Sequence, residues 1–170
     1  MKHTFLLTLA LITIGFMAMA QDRSSFKAGF NAGLPVGDVA DFSSFSMGLD
    51  LAYHWGISEL LDGGITTGYI HSFGETNTIS LGDATIETQF EDFQFIPMAL
   101  ALRLYPTYEF KLGADVGYAV GLGEQSESGL YVRPSIGYNI TGNTELNVSY
   151  ISVSNDLNFS VLSLGILFLF

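Results

Sequence analysis

The sequence predicts an all-β fold: an eight-stranded antiparallel up-and-down transmembrane β-barrel, preceded by a short export segment. Three observations carry this. Apolar residues alternate with small or polar ones along most of the chain. No apolar run after residue 20 is long enough for a membrane helix. Charged residues make up 14% and aromatic residues another 14%, where an average soluble protein has about 25% charged residues. A chain this apolar, without long apolar runs, must spread its apolar residues by alternation, as a membrane barrel does.

Residues 1–20 read as a secretory signal peptide. Lys2 and His3 give a polar, basic start, and residues 5–19 are almost unbroken apolar sequence. Ala18-Met19-Ala20 is a small-any-small cleavage pattern, which puts the cut between Ala20 and Gln21. The apolar run is short for a retained span, and no basic stop follows it. The exported chain is then residues 21–170, one domain in length. With no Cys, the lipidated-cysteine route is closed and there is no disulfide framework. Stability must come from a core or from lipid.

The strands follow in order, each justified by period two. Residues 25–34 put Phe26, Ala28, Phe30 and Ala32 on one face and Lys27, Gly29, Asn31 and Gly33 on the other. Residues 45–54 set Met47, Leu49, Leu51 and Tyr53 against Ser46, Gly48, Asp50 and His54. The pattern is weakest at 63–71 and 145–152. Residues 93–104 set Ile96, Met98, Leu100 and Leu102 against Pro97, Ala99, Ala101 and Arg103. The clearest strand is 110–122: Leu112, Ala114, Val116, Tyr118 and Val120 face Lys111, Gly113, Asp115, Gly117 and Ala119. Residues 130–140 and 159–170 complete the eight. An even number returns the chain end to the side where it began.

The connections alternate between long (35–44, 72–92, 123–129, 153–158) and short (55–62, 105–109, 141–144). Long outer loops and short inner turns are the usual asymmetry of such barrels, and it places both ends of the exported chain in the periplasm. Aromatic residues near the strand ends suggest two interfacial girdles. Tyr53, Trp55, Tyr105, Tyr108, Tyr138, Phe168 and Phe170 form the lower girdle, and Tyr69, Phe73, Phe93, Phe95 and Phe159 the upper one.

The charges test the faces, which were assigned from apolar residues alone. Lys27, Arg103, Lys111 and Arg133 all fall on the inward parity, as do Asp50 and Asp115. A Lys or Arg facing mid-bilayer lipid costs ~2–4 kcal/mol, so inward placement is expected. These six residues are predicted to form an interior network, helped by Glu109 or Glu145, because buried charges need partners. The acids Asp38, Asp41, Glu75, Asp83, Glu87, Glu91, Asp92, Glu124, Glu127 and Asp156 lie in or beside the outer loops and account for most of the net charge of −11. Such a surface repels nucleic acid.

The last strand ends on Ser163, Gly165, Phe168 and Phe170, spaced polar, any, Gly, any, any, aromatic, any, aromatic. This resembles the carboxy-terminal assembly signal of outer-membrane β-barrel proteins. The segment from Gly29 to Asp38 is similar to the first hairpin of many such sequences. Across its exported length the chain resembles the small outer-membrane β-barrel family, of the outer-membrane-protein-X, porin-family and PorT types. The resemblance implies an outer-membrane location, contact with outer-membrane lipid, and recognition by the barrel-assembly machinery through the last strand.

Chemistry is sparse. His71 and Ser72 lie near Glu75, and a nucleophilic hydroxyl needs a base beside it. Adjacent strand residues point to opposite faces, however, and the His-any-Ser spacing of lipid-A deacylase barrels is absent. No phosphate loop or calcium-loop spacing occurs, so no cofactor or metal is expected. The expected function is therefore non-enzymatic: an integral outer-membrane barrel with a plugged polar interior, whose acidic outer loops meet an extracellular ligand or serve envelope structure. The alternatives are a narrow pore or transport and secretion accessory, an outer-membrane lipid acyl hydrolase, and a soluble exported barrel with an apolar cavity.

Overall fold

The computed structural model describes residues 24–81, 84–123, 126–154 and 158–170. Ala20 and Gln21, and the loop acids Asp83, Glu124 and Asp156, lie outside them. Ten strands form among the described residues: β1 Ser25–Val36, β2 Ser43–Gly56, β3 Leu61–Gly74, β4 Thr76–Leu81, β5 Ala84–Gln89, β6 Phe93–Leu104, β7 Phe110–Leu122, β8 Gly129–Thr141, β9 Thr144–Ser154 and β10 Phe159–Leu169. Eight of them close an antiparallel barrel in the order β1-β10-β9-β8-β7-β6-β3-β2. Closure matters because an open edge in hydrocarbon would leave a row of unpaired backbone donors and acceptors.

Side chains alternate across the wall as the period requires. On β1, Lys27 and Asn31 are buried inside, while Phe26, Phe30 and Leu34 stand outside. On β6 the alternation holds at nearly every residue, and Leu100, at mid-strand, is 70% exposed. The outer surface is a belt of Leu, Ile, Val, Met and aromatic side chains, the reverse of a soluble barrel. Placing Arg at Leu100 is expected to cost ~2–4 kcal/mol of stability in lipid vesicles. Urea unfolding of the Leu100→Arg variant measures this; a soluble barrel would tolerate the charge.

Two prolines stand within wall strands, where each lacks a donor. Between β3 and β6 the ladder passes from Thr67↔Met98 to Ile70↔Phe95, skipping Pro97. The Thr67 hydroxyl donates to the Pro97 carbonyl at 2.8 Å there. Between β8 and β9 the ladder passes from Val132↔Ser152 to Ser135↔Ser149, skipping Pro134.

The structure corrects the sequence reading in three places. The 72–92 connection is not all loop: β3 runs on to Gly74, and β4 and β5 pair only with each other, forming a two-stranded ribbon outside the barrel. Phe93, Phe95 and Phe159 are not girdle residues. They are 5%, 1% and 1% exposed and point inward, as their odd numbers on β6 and β10 require. Tyr105 is also turned in, with the Lys111 ammonium 5.6 Å from its ring. Tyr53, Trp55, Tyr138 and Phe168 do face outward at the terminal end, the end that holds both described chain termini.

Candidate functional site

The lumen is filled in two layers. In the lower one, nearer the chain ends, two ionic struts cross the barrel. Arg133 on β8 meets Asp50 on β2 through both carboxylate oxygens, at 2.6 and 3.0 Å. These strands lie four places apart in a ring of eight, so the pair spans the diameter. Asp50 also accepts from the Asn31 amide at 2.9 Å, and the Arg133 Nε donates to the Ser149 hydroxyl at 3.0 Å. Glu145 on β9 forms the second strut. It pairs with Lys111 of β7 and, at 3.5 Å, with Lys27 of β1, two strands that also face each other across the lumen. Arg103 pairs with Asp115 of the next strand at 2.5 Å.

Small residues make this reach possible. A Cβ on Gly137 would lie 2.8 Å from Lys111 Cγ and 2.7 Å from Glu145 Oε1, so Lys111 passes over β8 only because Gly137 has no side chain. A Cβ on Gly113 would lie 3.1 Å from the Arg103 guanidinium carbon. All six predicted network residues thus come together inside. Glu145 joins them as a full member; Glu109 does not, since it lies exposed in the β6–β7 turn. Sequence reasoning missed Asp62, a buried acid at the foot of β3. The sequence places it in the short 55–62 connection, although it shares the inward parity of Gly64. The Tyr105 phenol, just beyond β6, hydrogen-bonds Asp62. Burial pushes that phenol's pKa up, and the Asp62 carboxylate pushes it further. Lys27, Arg103, Lys111 and Arg133 are thereby set against Asp50, Asp62, Asp115 and Glu145, four charges of each sign.

The upper layer is apolar. Phe95 on β6 and Phe159 on β10, again opposite strands, bring their ring centroids within 4.8 Å, and Phe93 lies 5.6 Å from Phe159. Tyr131, Ile151, Val153, Val161, Ile70 and Val39 pack around them. The interior is therefore not polar throughout, as the sequence reading held.

At the outer rim, Ser72 turns inward, with its hydroxyl 2.8 Å from that of Ser43. His71 turns outward, with Nε2 3.2 Å from Asp92 and Nδ1 3.3 Å from the Tyr69 hydroxyl. The two point to opposite sides of the wall, so His71 cannot serve Ser72 as a base. No metal-binding group of three His, Asp or Glu residues occurs among the described residues. In the last strand, Ser163 is buried and donates to the Ala32 carbonyl at 3.3 Å, Gly165 pairs with Asn31, and Phe168 faces out. The Phe170 amide donates to the Phe26 carbonyl at 2.9 Å, so β10 stays joined to β1 up to the chain end.

Comparison with solved structures places the architecture. The chain matches the Yersinia pestis outer membrane protein Ail, solved in a phospholipid bilayer nanodisc, with a TM-score of 0.56 and 14% identity over 86% of this chain and 98% of that one. The fold is that of small outer-membrane β-barrels. A de novo designed transmembrane β-barrel matches with a TM-score of 0.56 and 11% identity, over 89% and 100% of the two chains. A crystal structure of Ail in complex with the heparin analogue sucrose octasulfate matches with a TM-score of 0.50 and 18% identity, over 86% and 97%. No protein-family model and no curated protein matches the sequence. Within this outer-membrane barrel fold, the distinctive feature of the chain is its segregation of charge. Each Lys and Arg among the described residues points into the lumen. Asp38, Asp41, Glu91, Asp92 and Glu127 are exposed at the long-loop end, where the β4–β5 ribbon also stands.

Proposed function

We propose that this chain is exported, loses residues 1–20, and inserts in the outer membrane as a non-conducting, non-enzymatic barrel that presents an acidic surface to a basic partner. The charge segregation carries this reading. An outer face without Lys or Arg among its described residues attracts cations and repels polyanions. The ribbon adds a geometric reason: each of its strands is paired on one side only, and an open strand edge can accept an extended segment of another chain. Ail was crystallised with a heparin analogue; this chain offers such a polyanion no described outer-face cation. The narrow-pore alternative is disfavoured by Phe95 and Phe159, whose rings meet across the lumen. Ser163, Gly165, Phe168 and Phe170 are proposed as the address read by the barrel-assembly machinery, with Phe168 also anchoring the lower girdle.

Binding to charged matrices tests the surface. The barrel in detergent is expected to bind immobilised poly-lysine and not heparin. Raising salt from ~0.05 to ~0.5 M should weaken binding about tenfold or more, as the Debye length falls to a few ångströms. Retention on heparin, with none on poly-lysine, overturns the reading.

A further inference from the structure

The apolar belt is not smooth. A groove of about 800 Å³ crosses its outer face over β10, β1, β2 and β3. Its spine is one cross-strand row, Leu164, Ala32, Met47 and His71. Ala32 is the short side chain of that row, so it forms the floor between longer neighbours. The row climbs toward the long-loop end: β10 begins at Phe159, well above Leu164, whereas β3 ends at Gly74, just above His71. We propose that this groove holds one acyl chain of an outer-leaflet phospholipid, whose primary ammonium head group meets Asp92 at the groove's upper end.

Three observations select this occupant. The groove is continuous with the lipid-facing belt, and its length suits a tail. From β10 to β3 it crosses strands spaced ~4.8 Å apart, ~14 Å in all, against ~15 Å for one leaflet of a hydrocarbon core ~30 Å thick. Second, a polar station stands only at its upper end. Tyr69 and His71 line the groove there. The Tyr69 hydroxyl donates to Gln94 at 2.9 Å, and His71 lies 3.2 Å from Asp92. A second groove in the wall, about 740 Å³, has no Lys, Arg, His, Asp or Glu among its described lining residues. Third, the charge selects the head group. Asp92 accepts from the Gly74 amide at 2.9 Å and still leaves 43% of its side chain exposed, and a carboxylate has lone pairs for further donors. With Glu91 beside it and no Lys or Arg on the described outer face, an ammonium is attracted and a purely anionic head group repelled. A second copy seated here would bring two Asp92 carboxylates together with no described cation from either outer face. The site is separate from the acidic surface proposed for a basic partner, and neither reading depends on the other.

Lipid retention tests it. The barrel in detergent micelles is mixed with equal amounts of phosphatidylethanolamine and phosphatidylglycerol of identical acyl chains, and native mass spectrometry identifies the lipid that stays bound. Phosphatidylethanolamine is expected to be retained about two- to fivefold over phosphatidylglycerol, the scale of an ion pair near a surface. Ala32→Phe fills the floor and should lose the bound lipid. Ala28→Phe, on the same strand outside the groove, should keep it. Asp92→Asn should keep a lipid but lose the preference. Gel mobility without boiling shows that each variant is folded. Equal retention of the two lipids by the parent, or equal retention by the parent and Ala32→Phe, overturns the proposal. So does a parent dimer without lipid that Ala32→Phe breaks, which would assign the groove to a second copy.

Discussion

Arg133→Met is expected to lower the unfolding free energy by about 3–5 kcal/mol, because it leaves Asp50 charged and without its main partner in the barrel interior. Burying a charge is costly, and the existing pair offsets that cost only through its two-point geometry. Among the described residues, Asp50 retains the Asn31 amide as a hydrogen-bond donor in the variant. Removing both charges, with Arg133→Met and Asp50→Asn together, should cost less than the single change, since no unpaired charge remains. Urea titration of the barrel folded into phospholipid vesicles measures both variants. A double variant weaker than the single one would show that Arg133 acts through packing rather than through its charge.

The second large effect belongs to the aromatic layer. Phe95→Ala and Phe159→Ala are each expected to cost about 3–5 kcal/mol, the range for removing a buried Phe ring. The two rings touch, so the double variant should fall short of the sum. The same urea titration applies. The contrast with a girdle position is direct: a ring facing lipid can be trimmed without leaving a cavity, because lipid moves in. A small cost at Phe95 and Phe159, no greater than that of Phe168→Ala, would return them to the membrane interface.

The barrel itself was legible because a membrane wall forces alternation along the chain. Leu112 to Val120 against Lys111 to Ala119 can be read in no other period. The ion network was legible for the same reason, since lipid excludes Lys and Arg from the outer parity. The partners were harder to see. Pairing of Arg133 with Asp50 depends on which strands face each other across a ring of eight, and alternation along one strand says nothing of that. The aromatic layer was misread because aromatic residues at strand ends suggested a girdle, although the parity of Phe93, Phe95 and Phe159 pointed inward. The β4–β5 ribbon left little signal: it pairs only with itself, outside the wall whose alternation marks the other strands, and only its Thr and Ile content hinted at strand. Asp62 was missed because the start of β3 was placed two residues late, after Asp62 rather than at Leu61.

The central claim is an inside-out barrel seated in the outer membrane with its apolar belt in lipid. Cell fractionation followed by gel electrophoresis with and without boiling tests it most directly. The chain should be found in the outer-membrane fraction, resist extraction without detergent, and migrate differently when unboiled. Recovery in the soluble periplasm without detergent, at one mobility whether boiled or not, would contradict it.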